Sequence, residues 1–476
     1  MRVLLSVSGT YPYYRGGVSV WAHQLLRGMP DVEFRLLSIV SNPNVTPRFA
    51  LAANARLLTL PLWGVGRPEE FTPPPPGGGD RWGEAGRERR AFLAAYETFL
   101  TQCAEAGPDP QALAGALVAM ALFFRRYDFY TTMRSPDVWD TFRRVLGRDP
   151  LFRQMSLRAA VDLCRRIERH LRVLTVWPGP VDLVHVAIAG IAGIPAVVAK
   201  VTEGTPVLLT EHGVYYRERL LNLINEPVEP PLRTFLGHVE HALVRLNYAY
   251  ADLVTAVCRF NTRWERALGV PPEKIRVIYN GVDAWRFRPG PKGGPPVPTV
   301  VSVSRVDRLK DTLNLIEAMA HVRRHVPAVR CLVYGEAPDP EYRRLCLERI
   351  EALGLADVVT LHRATDDPVA VYRAADVVVS ASLSEGFPFG VIEAMACGKM
   401  VVATDVGGVR EALEGCGILV PPRAPRLLGD ALVTALRDPV RRQVAGARAR
   451  ERVLALYQLG HMVRAYRDVY RTLAAH

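Results

Sequence analysis

Short apolar runs alternate with helix-like segments along the last third of the chain, and this alternation restricts the fold more than any other feature. The runs are Val300–Val303, Cys331–Tyr334, Val358–Leu361, Val377–Ser380 and Val401–Ala403. Apolar strands separated by helices are typical of a parallel sheet that is covered on both faces. The sequence therefore predicts an α/β domain in this part of the chain.

The same alternation begins at the N-terminus, stops, and then returns. Strands are predicted at 2–7, 34–40 and 57–61, and again at 182–185, 206–210, 251–256 and 275–278. Between the two groups, Phe71–Gly79 contains four consecutive prolines and three glycines, which suit neither a strand nor a helix. The following hundred residues or so are predicted to form helices only.

We therefore predict a first parallel-sheet domain over residues 1–288, with a helical insertion at about 66–176. A linker rich in Pro and Gly begins at Pro289, and a second parallel-sheet domain is predicted over 289–455. Such a linker suits a hinge between two domains that close on a cleft. Residues 456–476 are predicted as a final helix with a break near Gly460.

Composition excludes several classes of protein. The chain has 476 residues and a net charge of +12, but it contains neither zinc-finger spacing nor an RNA-binding aromatic signature, so no nucleic acid partner is expected. Its seven cysteines are scattered without a CxxC pair, which indicates a reduced, cytoplasmic protein. The apolar stretch Leu183–Ala199 falls short of the ~20 residues that span a bilayer. The basic excess leaves open a solvated arginine surface, a negatively charged substrate, or peripheral attachment to the inner face of the membrane.

The stretch Ser384–Gly398, SEGFPFGVIEAMACG, has the pattern of a candidate ligand site. A helix is predicted from Gly390 onward, so free amides near Phe389 and Gly390 would form an anion site at its N-terminus. Glu385 and Glu393 could accept hydrogen bonds from sugar hydroxyls. The alternative is a turn and a buried helix, with Glu393 simply solvated.

Five further residues, in three loops, are candidates because each loop follows a predicted strand. Gly16 and Gly17 precede a helix and permit close backbone approach to a ligand, although such pairs also occur in ordinary turns. His212 follows a strand at the edge where open α/β sheets bind ligands, but a lone histidine there is more often a satisfied loop residue. Arg305 and Lys310 flank a helix start, and by themselves two cations at such a place are interpreted as solvated side chains.

The chain resembles the retaining glycosyltransferases of family 4, which have the two-lobed GT-B fold. The resemblance rests on Glu385 and Glu393 at their spacing, on AMACG and on Val401–Glu411. The segments GTYPYYRGGVSVWAHQL, VDLVHVAIAGIAG and LLTEHGVYYRERL resemble the PelF-like exopolysaccharide glycosyltransferases within that family.

This resemblance implies a role for each candidate. Arg305, Lys310, the amides at Phe389 and Gly390, and the Gly16–Gly17 loop would bind the donor diphosphate. Glu385 would hold the sugar hydroxyls and Glu393 the ribose, and His212 would lie beside the donor sugar. No metal and no cofactor are expected, since no Asp-x-Asp pattern is present.

The expected function is hexosyl transfer from a nucleotide sugar, UDP-glucose or a related UDP-sugar, to a glycan acceptor in exopolysaccharide biosynthesis. A membrane-bound polysaccharide synthesis complex is the expected setting, with the attachment itself left open. Three alternatives stay open: a GDP- or ADP-sugar donor, an epimerase or phosphorylase on the same fold, and a non-catalytic nucleotide-sugar-binding scaffold of an export complex.

Overall fold

The structure is a computed structural model that describes residues 1–42, 44–62, 86–177, 179–293 and 297–475. These residues form two compact units. The first comprises Met1–Ala256, Thr262–Arg276 and Arg467–His476, and the second comprises Val257–Asn261 and Val277–Tyr466. Residues 277–288, which we assigned to the first domain, thus group with the second unit.

A parallel sheet forms the centre of the first unit. Its described strands lie in the order β3-β2-β1-β4-β5-β6-β7. They are β1 (Arg2–Ser8), β2 (Glu33–Val40), β3 (Ala55–Pro61), β4 (Leu183–Val186), β5 (Val207–Glu211), β6 (Leu253–Ala256) and β7 (Ile275–Val277). The middle of β1 and all of β4 and β5 are buried, as expected for strands covered on both faces.

The helices of the first unit include the predicted insertion. They are α1 (Gly17–Gly28), α2 (Gly86–Ala104), α3 (Pro110–Phe124), α4 (Phe129–Met133), α5 (Pro136–Leu146), α6 (Leu157–Leu171), α7 (Ile194–Glu203), α8 (Tyr215–Asn225), α9 (Pro230–Tyr250) and α10 (Arg259–Ala267), whose first three residues group with the second unit. Helix α3 packs on α7 and α9, so the inserted helices share one apolar core with the sheet. The predicted linker at 71–79 and the start of the insertion lie outside the described residues.

A second parallel sheet forms the centre of the second unit. Its described strands lie in the order β10-β9-β8-β11-β12-β13. They are β8 (Thr299–Val303), β9 (Arg330–Tyr334), β10 (Val359–His362), β11 (Val377–Ser380), β12 (Met400–Thr404) and β13 (Gly417–Val420). The sequence analysis missed β13, a four-residue strand that pairs with β12 and is mostly half-buried. The prediction of two parallel-sheet domains is confirmed.

The remaining helices cover this sheet and continue to the C-terminus. They are α11 (Thr312–His325), α12 (Pro340–Ala352), α13 (Pro368–Ala374), α14 (Phe389–Ala396), α15 (Val409–Leu413), α16 (Pro425–Arg437), α17 (Pro439–Leu456) and α18 (Leu459–Ala474). Helix α18 begins in the second unit, and its residues from Arg467 group with the first. None of the helices in the described ranges is long and apolar enough to cross a bilayer.

The break between α17 and α18 lies before the predicted position. It falls at Tyr457 and Gln458 instead of Gly460. The Val282 amide donates to the Tyr457 carbonyl at 2.8 Å, and the Leu459 amide donates to the Val282 carbonyl at 3.0 Å. A distant segment therefore takes hydrogen bonds that a continuous helix would use internally, and this interrupts the helix.

Candidate functional site

Lys310 and Glu385 meet at the carboxyl ends of two neighbouring strands in the second unit. Lys310 follows β8 and Glu385 follows β11, which are the strands on either side of the point where the strand order reverses. Open α/β sheets bind ligands at such a point. The Lys310 Nζ donates to Glu385 Oε1 at 2.6 Å, and the Ser382 hydroxyl donates to the same oxygen at 2.6 Å. A cation and a fixed carboxylate therefore share this edge of the sheet.

Arg305 lies in the same loop as Lys310 but has a different partner. Its guanidinium pairs with the Asp307 carboxylate at 3.0 Å, and its side chain is 48% exposed. The other Asp307 oxygen accepts a hydrogen bond from the Lys310 amide at 2.9 Å. The loop passes so close to Gly335 that a Cβ there would lie 1.9 Å from the Ser304 carbonyl oxygen. Asp307 and Gly335 thus shape the loop, and the guanidinium remains accessible to an anion.

Helix α14 begins directly beside the end of β8. A Cβ on Gly390 would lie 2.9 Å from the Val303 carbonyl oxygen, so the absence of a side chain allows this approach. The helix starts at Phe389, one residue earlier than predicted, after Pro388 at the N-cap. The first amides of a helix and its dipole favour a negatively charged group at this end.

Glu393 is fixed by a buried tyrosine. The Tyr372 hydroxyl donates to Glu393 Oε2 at 2.9 Å, and Tyr372 is fully buried. Burial raises the pKa of Glu393 to about 6, against the lowering effects of the Tyr372 hydrogen bond and of the Arg286 charge. These contacts argue against the interpretation of Glu393 as a freely solvated side chain.

The glycines of the loop after β12 pack against the loop of Glu385. Gly407 has a φ of +55°, and a Cβ there would lie 1.7 Å from the Glu385 carbonyl oxygen. The Gly408 amide donates to the Gly386 carbonyl at 2.8 Å. Two adjacent loops therefore fix the backbone on which Glu385 is held.

The remaining candidates lie in the first unit. Gly16 immediately precedes α1, and no atom lies within 4 Å of where its Cβ would be, so the protein itself does not require a glycine there. Gly17 is the first residue of α1. The turn follows β1, which lies between β2 and β4 at the point where the strand order of this sheet reverses.

His212 directly follows β5 and contacts Trp21 of α1. The two rings lie 4.4 Å apart between centroids at an angle of 68°. The Nε2 of His212 is buried and has no hydrogen-bond partner among the described residues. Burial lowers the pKa of His212 to about 3, so its imidazole is neutral at physiological pH. It can therefore donate or accept one hydrogen bond to a ligand without carrying charge.

Comparison with known proteins gives two family matches. The family described as "Domain of unknown function (DUF3492)" matches residues 1–273, and the family described as "Glycosyl transferases group 1" matches residues 297–438. A D-inositol 3-phosphate glycosyltransferase of Saccharomonospora viridis is 30% identical over 321 residues, covering 63% of this chain and 72% of the relative. The chain belongs to the group 1 glycosyltransferases.

Other relatives match this chain over a shorter length. The D-inositol 3-phosphate glycosyltransferase of Segniliparus rotundus is 40% identical over 264 residues, which are 51% of this chain and 56% of the relative. The corresponding protein of Kineococcus radiotolerans is 35% identical, and 53% of its length is covered. The chain thus spans little more than half the length of these two curated relatives.

Solved structures show the fold. HepE of Anabaena, in complex with UDP-glucose, is similar with a TM-score of 0.61 at 17% identity, covering 99% of this chain and 100% of HepE. Sucrose-phosphate synthase of Thermosynechococcus elongatus is similar with a TM-score of 0.63 at 20% identity, covering 100% and 99% of the two chains. The fold of this chain is therefore GT-B, as predicted.

Sequence reasoning missed several residues that hold the side chains of the candidate site. Ser382 lies between β11 and Glu385 and gave no pattern of its own. Tyr372 lies 21 residues before Glu393, and only the fold brings the two together. Trp21 was interpreted only as a core residue of α1. Among the described residues, no three His, Cys, Asp or Glu side chains converge as a metal-binding group.

Proposed function

We propose that this glycosyltransferase moves a hexosyl group from a UDP-sugar, such as UDP-glucose, to a glycan acceptor with retention at the anomeric carbon. The observation that carries the proposal is the contact of Lys310 with Glu385 at the strand-order reversal, beside the start of α14. This edge offers cations and helix amides for a diphosphate and a carboxylate for sugar hydroxyls. HepE, which has the same fold, was crystallised with UDP and with UDP-glucose.

Charge explains how these groups would promote transfer. As the bond between the sugar C1 and the diphosphate breaks, negative charge grows on the departing UDP. Lys310, Arg305 and the amides at Phe389 and Gly390 would stabilise that charge without a metal, because preorganised donors in a desolvated site stabilise developing charge strongly. The acceptor hydroxyl attacks the face that UDP leaves, and its proton passes to a departing phosphate oxygen.

The other site residues position the donor. Glu385 would accept hydrogen bonds from the hexose hydroxyls, and its oxygen is oriented for this by Ser382 and Lys310. Glu393, which Tyr372 fixes, would bind the ribose hydroxyls. The neutral His212 would hydrogen-bond to the sugar, and the Gly16–Gly17 turn would admit the diphosphate.

The biological setting is proposed from the resemblance and from the cysteines. The PelF-like segments favour exopolysaccharide synthesis, with a membrane-associated complex as the partner. Free thiols are found at Cys103, Cys164, Cys331, Cys346, Cys397 and Cys416, and all of these except Cys164 are buried. Free thiols suit a reducing compartment, which supports a cytoplasmic location.

Nucleotide binding distinguishes the proposed donor from the alternatives. In a thermal-shift series with UDP-, GDP- and ADP-glucose, UDP-glucose should stabilise most. A ligand at a hundred times its dissociation constant adds about 2.7 kcal/mol to the free energy of unfolding. Greater stabilisation by GDP- or ADP-glucose would contradict the proposed base.

The substitution Glu385→Gln separates sugar binding from nucleotide binding. It should weaken UDP-glucose binding by about tenfold and leave UDP binding nearly unchanged, because the hexose is the only part of the donor that is proposed to contact this carboxylate. Glu317→Gln is the control, since Glu317 is 39% exposed and pairs with Arg349 on the surface. Calorimetric titration measures both ligands, and an equal loss for UDP and UDP-glucose would overturn the assigned role.

A further inference from the structure

Trp21 contacts two histidines in the first unit. The centroid of its fully buried indole lies 4.4 Å from that of the His212 ring and 5.2 Å from that of the His185 ring, in both cases edge to face. Aromatic contacts of this geometry contribute about 0.5–1.5 kcal/mol beyond the area they bury. Trp21 lies one helical turn after Gly17, so the turn that starts α1 also places this indole.

Hydrogen bonds at both ring nitrogens fix the orientation of His185. Its Nδ1 bonds to the Tyr470 hydroxyl at 2.7 Å, and its Nε2 bonds to the Thr210 hydroxyl at 2.7 Å. Thr210 is bonded in turn to the Thr255 hydroxyl at 2.6 Å. Because both nitrogens have partners, the ring cannot turn without breaking a buried hydrogen bond, which costs about 1–3 kcal/mol. His185 is therefore a fixed contact of Trp21.

The His212 ring, unlike that of His185, is not held by hydrogen bonds at both nitrogens among the described contacts. Its ring packs on Trp21, and its Nε2 has no described partner. A buried ring nitrogen without a partner is unfavourable unless a ligand or water supplies one. The ring position therefore depends on the Trp21 face, and its spare hydrogen bond is available to a substrate.

We infer that Trp21 is a positioning residue, which holds the His212 ring in place and keeps water from it. The fixed ring of His185 contacts Trp21 and holds the indole in turn. This inference rests on the proposed function of His212 as a contact of the donor sugar. The segment GGVSVW would then have two functions: its glycines admit the diphosphate, and its tryptophan positions His212. Among the described residues, three titratable groups lie near His212: His185 interacts with it electrostatically, Glu211 precedes it in the chain, and the Glu218 carboxylate lies 2.5 Å from where a Cβ of Gly213 would be.

The titration of His212 reports its contact with Trp21 without any sugar. In the parent protein, the NMR signal of His212, assigned by its loss in His212→Gln, should not titrate above about pH 5, because burial lowers the pKa of His212 to about 3. In Trp21→Ala, water enters and the midpoint should rise toward the ordinary value of about 6.5. Trp21→Phe, which keeps an aromatic face, should behave as the parent does.

Turnover supplies the second readout. Trp21→Ala should lower kcat by about tenfold or more and leave UDP affinity unchanged, and Trp21→Phe should keep most of the activity. Phe142→Ala is the matched control, because it removes a fully buried aromatic side chain of the inserted helices, where Phe142 packs on Trp139. That control should lower stability and leave the His212 titration unchanged.

Two results would overturn the inference. One is a His212 titration and a kcat in Trp21→Ala that match the parent. The other is an equal shift of the titration in Phe142→Ala, which would attribute the effect to general loosening of the fold. Failure of the parent to bind any UDP-sugar would instead contradict the proposed function, since the titration is measured without donor.

Discussion

Glu265 is a buried carboxyl group of the first unit, and burial changes its pKa. Its side chain is 1% exposed, and neither carboxyl oxygen has a partner among the described residues. Burial raises the pKa of Glu265 to about 7, with Arg266 opposing the shift. Burial and the charge of Glu265 also raise the pKa of Glu211, which accepts a hydrogen bond from Tyr248. Neither acid carries a role in the proposed reaction.

The raised pKa of Glu265 makes stability depend on pH. The folded state holds the proton up to about pH 7, whereas the unfolded chain releases it near pH 4.5, so stability falls as pH rises between these values. Glu265→Gln should therefore raise Tm relative to the parent at pH 8 and change it little at pH 5. Glu273→Gln, at an exposed position, is the control. An equal change in Tm at both pH values would contradict the assigned burial effect.

Residues of the candidate site differed in how far the sequence could predict them. Lys310 and Glu385 are 75 positions apart in the sequence, and each follows an apolar strand, but only the resemblance to family 4 assigned both of them to the donor site. The contact of Tyr372 with Glu393 had no such signal, because neither helix spacing nor strand order joins them. Side-chain partners that depend on tertiary packing cannot be read from local periodicity.

The secondary-structure elements differed in how well the sequence predicted their bounds. Apolar runs placed most strands to within one or two residues, since buried parallel strands are apolar throughout. Strand β13 was missed because it is short and only half-buried. A helix break was predicted near Gly460, and its place at Tyr457 and Gln458 depends on backbone hydrogen bonds with Val282, which is far away in the sequence.

The loop after β12, which packs against the Glu385 backbone, should make alanine at Gly407 more destabilising than alanine at Gly415. Gly407 and Gly415 both have positive φ, so alanine at either position costs about 1 kcal/mol of backbone strain. Only Gly407→Ala adds a clash with the Glu385 carbonyl, because nothing lies within 4 Å of a Cβ at Gly415. Gly407→Ala should therefore lower Tm further and weaken UDP-glucose binding at least tenfold. Equal UDP-glucose affinities in calorimetry of the two variants would contradict this account of the loop.

At the scale of the whole molecule, the alternation of strands and helices predicted two parallel-sheet units, and the structure and its GT-B neighbours confirm them. The resemblance to family 4 and to the PelF-like group stays a prediction. Several arginines of the inserted helices form surface ion pairs, such as Arg126 with Glu88 and Arg144 with Glu97. Exposed ion pairs contribute little to stability. Arginines in such pairs have no distinguishing pattern in the sequence, so the sequence did not decide whether these helices bind a protein or a membrane.

The central claim is that Lys310 and Arg305, together with the start of α14, stabilise the departing diphosphate in place of a metal. Acceptor-dependent release of UDP from UDP-glucose, measured with and without EDTA, tests it most directly. The account predicts an unchanged rate in EDTA and a rate lower by about 10² to 10³ in Lys310→Ala. Arg308→Ala, which alters a cation of the same loop that faces Asp339, should match the parent. Activity that EDTA abolishes and manganese restores, or a Lys310→Ala enzyme nearly as active as the parent, would contradict the claim.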